Sequence, residues 1–461
     1  MLRFWISALL WSIASSAAES ADWLLTAGHV VTMDKQRQVI AGGAVAVRGS
    51  RILAVGPRAE VERAYSAGRR IDMPDAILTP GLINTHTHAP MVLMRGIADD
   101  LRLQEWLERF IFPAESKNVT ADFVRWGTRL ACMEMLLSGT TTFVDMYYFE
   151  EVIAEATKEC GMRGVLGQTI IQFPVPDAKT PSEALKRAEA FLQKFAKDEL
   201  IVPAVAPHAV YTNSDQTLQA SRALADRYGA PVLIHVSETR KENDDLQVKR
   251  QLTPVQLLDK LGVLKGRTIA AHGVHIDAKD IAVLKQYGTG VAHCPGSNMM
   301  LASGIAPVPE YLAADVAVGL GTDGPAGSNN DLNLFEEMDL AAKLHKVSKN
   351  DPTAIRAVDA FEMATVRGAR ALGLEGEIGS LEPGKRADMV FIRNSGPHAI
   401  PMYDVYSHLV YALKASDVRH VMVNGRVVVR DRSVLTLKAA EVSAKADQYK
   451  AAIQKSLKAA N

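Results

Sequence analysis

His86 and His88 stand two apart in PGLINTHTHAPM, and the two-residue period of a strand points both imidazoles to one side, where they can meet one metal ion. Alone, two half-buried strand histidines explain this pair equally well. Other groups shift the balance. His235 in PVLIHVSET supplies a third imidazole and Asp323 in GLGTDGP an oxygen ligand, a nitrogen-rich mixed set that suits Zn2+. His208, Glu238 and His272 bring the number of titratable groups to seven. Glu238 lies three residues after His235, where a carboxylate can carry protons beside a metal-activated water. Its plainer reading is an ion-paired loop carboxylate.

These residues fall at or just beyond the ends of short apolar runs. The runs AILTPGLINT, GTTTFVDM, MRGVLGQTI, LIVPAVAP, PVLIHVS, TIAAHGV, GTGVAHC and DVAVGLGT read as strands, and segments such as SEALKRAEAFLQKFAKD and DQTLQASRALADRYG between them have helical amphipathic stripes. Eight β/α units predict an α/β fold, a (β/α)8 TIM barrel over residues 77–374. In that fold reactive groups gather at the C-terminal ends of the strands. Residues 19–76 and 375–434 are rich in alternating β segments, with Asn424-Gly425 as a hairpin turn, and are expected to pair into a small β-sandwich domain formed from both chain ends. Residues 435–461 read as a helical tail, lysine-rich and solvated.

The 461 residues carry 52 basic and 52 acidic side chains, so no net field favours a nucleic acid or an anionic membrane, and a small substrate fits better. The three cysteines, Cys132, Cys160 and Cys294, are too far apart in sequence for a zinc ribbon and lie in apolar surroundings, which suggests buried thiols. Residues 1–18 have an early Arg3, an apolar run and small residues before Glu19. That is the pattern of a signal peptide, so an exported (periplasmic or secreted) protein is expected, with a cytoplasmic one as the alternative. No later run is long enough to span a bilayer.

PGLINTHTHAPM, LIHVSET, AAHGVHI and GTDGPAGSNNDLNLFEEM resemble the corresponding segments of the 5-methylthioadenosine/S-adenosylhomocysteine deaminases, of the amidohydrolase superfamily. The resemblance extends over nearly all of the chain after residue 18. It implies one Zn2+ per subunit, held by His86, His88, His235 and Asp323, because the lysine of two-metal relatives is missing after the fourth strand, where His208 and Tyr211 stand instead. It implies Glu238, His272 and Asp323 as catalytic residues: Glu238 to protonate the ring nitrogen, His272 and Asp323 to orient and deprotonate water. Glu115, in FIFPAESK, matches the glutamate that receives the ribose hydroxyls, and His208 a histidine that contacts the nucleoside; Glu238 and Asp323 also face the substrate. A homo-oligomer is expected. Gln168 stands at about the register where the family often has an arginine for the sugar or its tail, which favours a neutral substrate over the charged homocysteine conjugate. Ser328 and Asn329 read as loop-shaping residues. The expected reaction is hydrolytic deamination of 5'-methylthioadenosine, S-adenosylhomocysteine or adenosine to the inosine-type product and ammonia. The alternatives are a superfamily relative acting on guanine, a pyrimidine or a triazine, and, more remotely, a silent barrel scaffold or a nucleoside-binding protein.

Overall fold

The structure is a computed structural model that describes residues 18–458. The leader expected at the N-terminus falls, but for Ala18, outside them.

Eight parallel strands pair in chain order: β1 (Leu82–Thr87), β2 (Thr140–Tyr147), β3 (Arg163–Ile170), β4 (Ile201–Pro207), β5 (Val232–Val236), β6 (Thr268–His272), β7 (Gly290–His293) and β8 (Val318–Leu320). The ends of the sheet meet. Thr87 bridges Asp323, the Asp323 N–H donates to the His86 carbonyl at 3.0 Å, and Thr85 Oγ1 donates to the Leu320 carbonyl at 2.9 Å. Alternate residues fill the interior, where Ile83, Val144, Val165, Ala204, Leu233 and Ile269 form one buried cluster. Their neighbours Phe143, Leu166, Val205 and Ile234 turn outward into the core shared with the helices. Truncating one of the interior residues, as in Leu233→Ala, costs about 2–5 kcal/mol from lost contacts and the cavity left behind.

The helices start where local chemistry stops a strand. Thr180 caps Pro181–Phe195 by accepting from Glu183 N, with proline in the first turn; Ser214 caps Asp215–Tyr228, which ends on Gly229 in the left-handed region.

A second eight-stranded sheet is drawn from both chain ends. Tyr65–Pro80 lies at its centre, parallel to Glu19–Val31 and antiparallel to Met389–Arg393. The run AILTPGLINT, read above as one strand, is therefore two: Ile77 and Leu78 pair with Ile392 and Phe391 in this sheet, and only Leu82 onward belongs to the barrel. The break falls at Gly81, where a Cβ would lie 2.1 Å from Thr141 Oγ1, so only glycine lets the chain cross between the sheets. Arg163, at the start of β3, makes a buried ion pair with Asp388 (Nε to Oδ2 3.0 Å) that ties the two sheets together at the end of the barrel away from the ligands. Removing one partner would leave a buried charge, at a cost of about 3–5 kcal/mol.

The tail forms the helix Ala439–Lys458, but it is not solvated all round. Val442 and Ile453 are buried, Tyr449 stacks edge-on against Phe123 at 5.3 Å, and the lysines occupy the remaining face. The correction has a simple cause: 442, 449, 453 and 457 recur at helical spacing and form an apolar stripe that packs on the helix Ala121–Leu137.

Candidate active site

β1 positions His86 on its last turn of pleat and His88 one residue past its end; β4 leads into His208, β5 contains His235 and β6 ends in His272. Asp323 follows β8 with φ at +63°, and His272 has φ at +70°. Non-glycine residues are rarely held there, and the strain is kept where it aims these two side chains inward.

One potential ligand atom from each of His86, His88, His235 and Asp323 lies within 4.8 Å of all the others. Backbone carbonyls settle which ring nitrogens point at the centre. His88 Nδ1 donates to the Met146 carbonyl at 2.7 Å and His235 Nδ1 to the His208 carbonyl at 2.8 Å. A carbonyl can only accept, so each neutral ring carries its proton on Nδ1 and presents a bare Nε2. The two Nε2 atoms are 3.3 Å apart, while Asp323 Oδ1 lies 3.2 Å from His86 Nε2 and 3.3 Å from His88 Nε2. His86 Nε2 is buried without a hydrogen-bond partner. Lone pairs converging in a buried place repel one another unless a cation lies between them, so the donor set fits a divalent metal. Ser297 Oγ donates to Asp323 Oδ2 at 2.7 Å and leaves Oδ1 facing the histidines.

Beside this cluster, His272 Nδ1 meets Asn298 Oδ1 at 3.1 Å, and its Nε2 lies 3.9 Å from Glu238 Oε2. Burial pushes the Glu238 carboxyl above its usual range, a shift that His272 opposes. His208 Nδ1 contacts Thr212 Oγ1 at 3.1 Å; burial, helped by nearby His88 and His86, depresses the ring to about 3, so His208 is a neutral hydrogen-bonding group.

The cluster opens into a concave pocket at the mouth of the barrel. His88, His208, His235, Glu238, His272 and Asp323 line one end, with His86 beneath. The other end is built differently. Between β1 and the helix Ala121–Leu137 the chain makes an excursion through Leu103–Glu105, a π-helical turn Trp106–Ile111 and the helix Phe112–Asn118, which carries Glu115. Glu115 is buried, its Oε1 accepting from Tyr147 Oη at 2.7 Å and its Oε2 facing Tyr148 Oη at 3.4 Å. Burial pushes its carboxyl to about 7, less than it would without the Tyr147 hydroxyl. Tyr147 and Tyr148 were not singled out from sequence; the signal was there in DMYY, two tyrosines at a strand's C-terminal end.

Gln168 does not face this pocket. Its neighbour Thr169 does, while Gln168 donates to Asp177 Oδ2 at 2.9 Å on the outer side of β3. Asn329 Nδ2 donates to Glu337 and to the Thr322 carbonyl, and Ser328 Oγ to the Gly324 carbonyl, so both shape the loop after Asp323. All three cysteines are buried free thiols.

A family model described as "Amidohydrolase family" matches residues 77–428, and a bacterial imidazolonepropionase-like composite domain matches 43–65. The chain is 47% identical, over 92% of its length and 96% of the relative's, to a 5-methylthioadenosine/S-adenosylhomocysteine deaminase of Syntrophobacter fumaroxidans. It is 44% identical, over 95% of its length and 99% of the relative's, to one of Syntrophus aciditrophicus. Among solved structures it is similar to an adenosine deaminase from Xanthomonas campestris with bound zinc (TM-score 0.93, 39% identity, 95% of this chain and 100% of that one). An atrazine chlorohydrolase from Arthrobacter aurescens complexed with zinc shares the architecture at a TM-score of 0.86 and 25% identity, over 93% of this chain and 100% of that one.

Proposed function

The chain belongs to the amidohydrolase family, among the 5-methylthioadenosine/S-adenosylhomocysteine deaminases, and from that membership we propose that it hydrolyses the 6-amino group of adenine nucleosides, giving the inosine-type product and ammonia. The observation that carries this reading is one pocket with a metal-fitting cluster at one end and the buried carboxyl of Glu115 at the other.

We assign the metal to His86, His88, His235 and Asp323, as one zinc ion. When bound, zinc supplies a water acidified towards neutrality. The remaining steps belong to the chain. Glu238, kept protonated more readily by its burial, delivers a proton to the ring nitrogen next to the carbon under attack, and then moves protons towards the departing ammonia. His272, held by Asn298, and Asp323, held by Ser297, orient the attacking water and take up its proton. His208 offers a neutral hydrogen-bonding edge to the nucleoside. Glu115 accepts the ribose hydroxyls, a bidentate task for which a carboxylate is apt. Among the described residues no lysine or arginine lines the pocket, so the neutral 5'-methylthioadenosine and adenosine are preferred over the charged homocysteine conjugate.

The test is a panel of 5'-methylthioadenosine, adenosine and S-adenosylhomocysteine with zinc-loaded enzyme, following ammonia and the shift of the purine absorbance. Turnover of the first two ahead of the third is expected. Turnover of guanine or a triazine with none of the three would leave the family in place and remove the substrate assignment.

A further inference from the structure

Glu115 is the one proposed substrate contact that no barrel strand positions. It rides on the excursion 103–118, whose π-helical turn replaces the regular α-helical hydrogen-bond ladder between two short helical pieces. External contacts fix this segment. At its start Trp106 Nε1 donates to the Ala326 carbonyl at 2.8 Å, and in the middle the Tyr147 and Tyr148 hydroxyls meet Glu115. At its far end Asn118 Nδ2 donates to Ser456 Oγ at 2.9 Å, on the C-terminal helix Ala439–Lys458.

That helix lies beyond the matched amidohydrolase segment and lines no part of the pocket itself, yet it packs on the helix Phe112–Asn118, on Ala121–Leu137 and on the turn Ala89–Met94. Its own anchor is Tyr449, whose ring packs on Phe123 and whose hydroxyl donates to Asp122 Oδ2 at 2.6 Å. Asp122 and Phe123 open the very helix that follows the excursion. The C-terminal helix thus spans the joint between the two, with Tyr449 gripping one side and Ser456 the other.

We propose that the C-terminal helix is a clamp that positions Glu115, with Tyr449, Ser456 and Asn118 as positioning residues for nucleoside binding. The inference rests on the assignment of Glu115 to the ribose. It follows from geometry: a helix of seven residues, entered through a π turn, keeps its register only if its exit is held, and the hydrogen bond to Ser456 and the Tyr449 anchor hold it. A displaced Glu115 loses ground-state contact with the ribose, whereas the metal ligands, on the barrel strands or just past their ends, stay in place. The clamp therefore acts on KM and leaves kcat alone.

The test uses the full chain with Tyr449→Ala, Tyr449→Phe and Asn118→Ala, each assayed with 5'-methylthioadenosine and each repeated in a Glu115→Ala background. Tyr449→Ala and Asn118→Ala are expected to raise KM by about 5-fold with kcat and metal content unchanged, an effect that vanishes once Glu115 is gone because coupled sites are not additive. Tyr449→Phe, which keeps the ring, recovers most of the loss. Amide hydrogen exchange reads the clamp without any substrate: Tyr449→Ala should speed exchange across residues 103–118 and leave 82–88 protected. Unchanged exchange at 103–118, or a KM effect that persists without Glu115, would overturn the proposal. If the unaltered enzyme turns over no adenine nucleoside, the functional reading falls while exchange still decides the clamp.

Discussion

The two ends of the pocket are held by different means. At the metal-fitting end every side chain comes from a barrel strand or the first residues beyond it, and backbone carbonyls of Met146 and His208 orient the rings. At the nucleoside end Glu115 stands on an excursion tied down by tyrosine hydroxyls, a tryptophan and a distant helix. A parallel sheet closed on itself has little freedom to move one strand end against another, so reactive groups keep their spacing. An excursion has no such lattice, and its course can change without disturbing the barrel. On the proposed function, the difference separates the part that sets the chemistry from the part that sets the substrate.

That separation can be broken most forcefully at the metal end. His86→Ala together with His88→Ala should leave no metal by elemental analysis and no measurable turnover; full metal content in the double variant would remove the assigned site. Glu238→Gln comes next: it preserves shape but has no proton to give, so kcat should fall by roughly 100-fold or more with metal retained. A loss of metal in that variant would instead make Glu238 part of the ligand set.

The nucleoside end should respond in KM. Glu115→Ala is expected to raise KM for nucleosides by about 10-fold while sparing free adenine, which has no ribose to lose. An equal penalty on free adenine would show that Glu115 supports the whole pocket. The smallest effect is one of pH. With its carboxyl at about 7, Glu115 is mostly protonated in mildly acidic solution and accepts poorly; as pH rises through that value it ionises and can receive both ribose hydroxyls. KM for 5'-methylthioadenosine should therefore fall between about pH 6 and 8 in the unaltered enzyme and stay flat in Glu115→Gln. The same slope in both would assign the titration elsewhere.

Periodicity and strand-end position were enough to read the barrel, its eight strands and the set His86, His88, His235 and Asp323, because a strand places side chains by simple alternation and the fold collects its ends at one mouth. Glu115 came only through resemblance: nothing in FIFPAESK says that the helix carrying it turns inward to meet Tyr147. Three further matters were decided by the tertiary structure alone. The strand run 76–85 divides at Gly81 because two sheets compete for it, and competition between sheets is not encoded in local alternation. Gln168 faces Asp177 on the outer side of β3, since register in the barrel decides which face a residue takes. The lysine-rich tail reads as solvated until its sparse stripe of Val442, Tyr449 and Ile453 finds the helix Ala121–Leu137. Local sequence determines what each segment can become. Which neighbour buries it depends on contacts hundreds of residues apart, such as that of Asn118 with Ser456, and only the assembled fold brings these together.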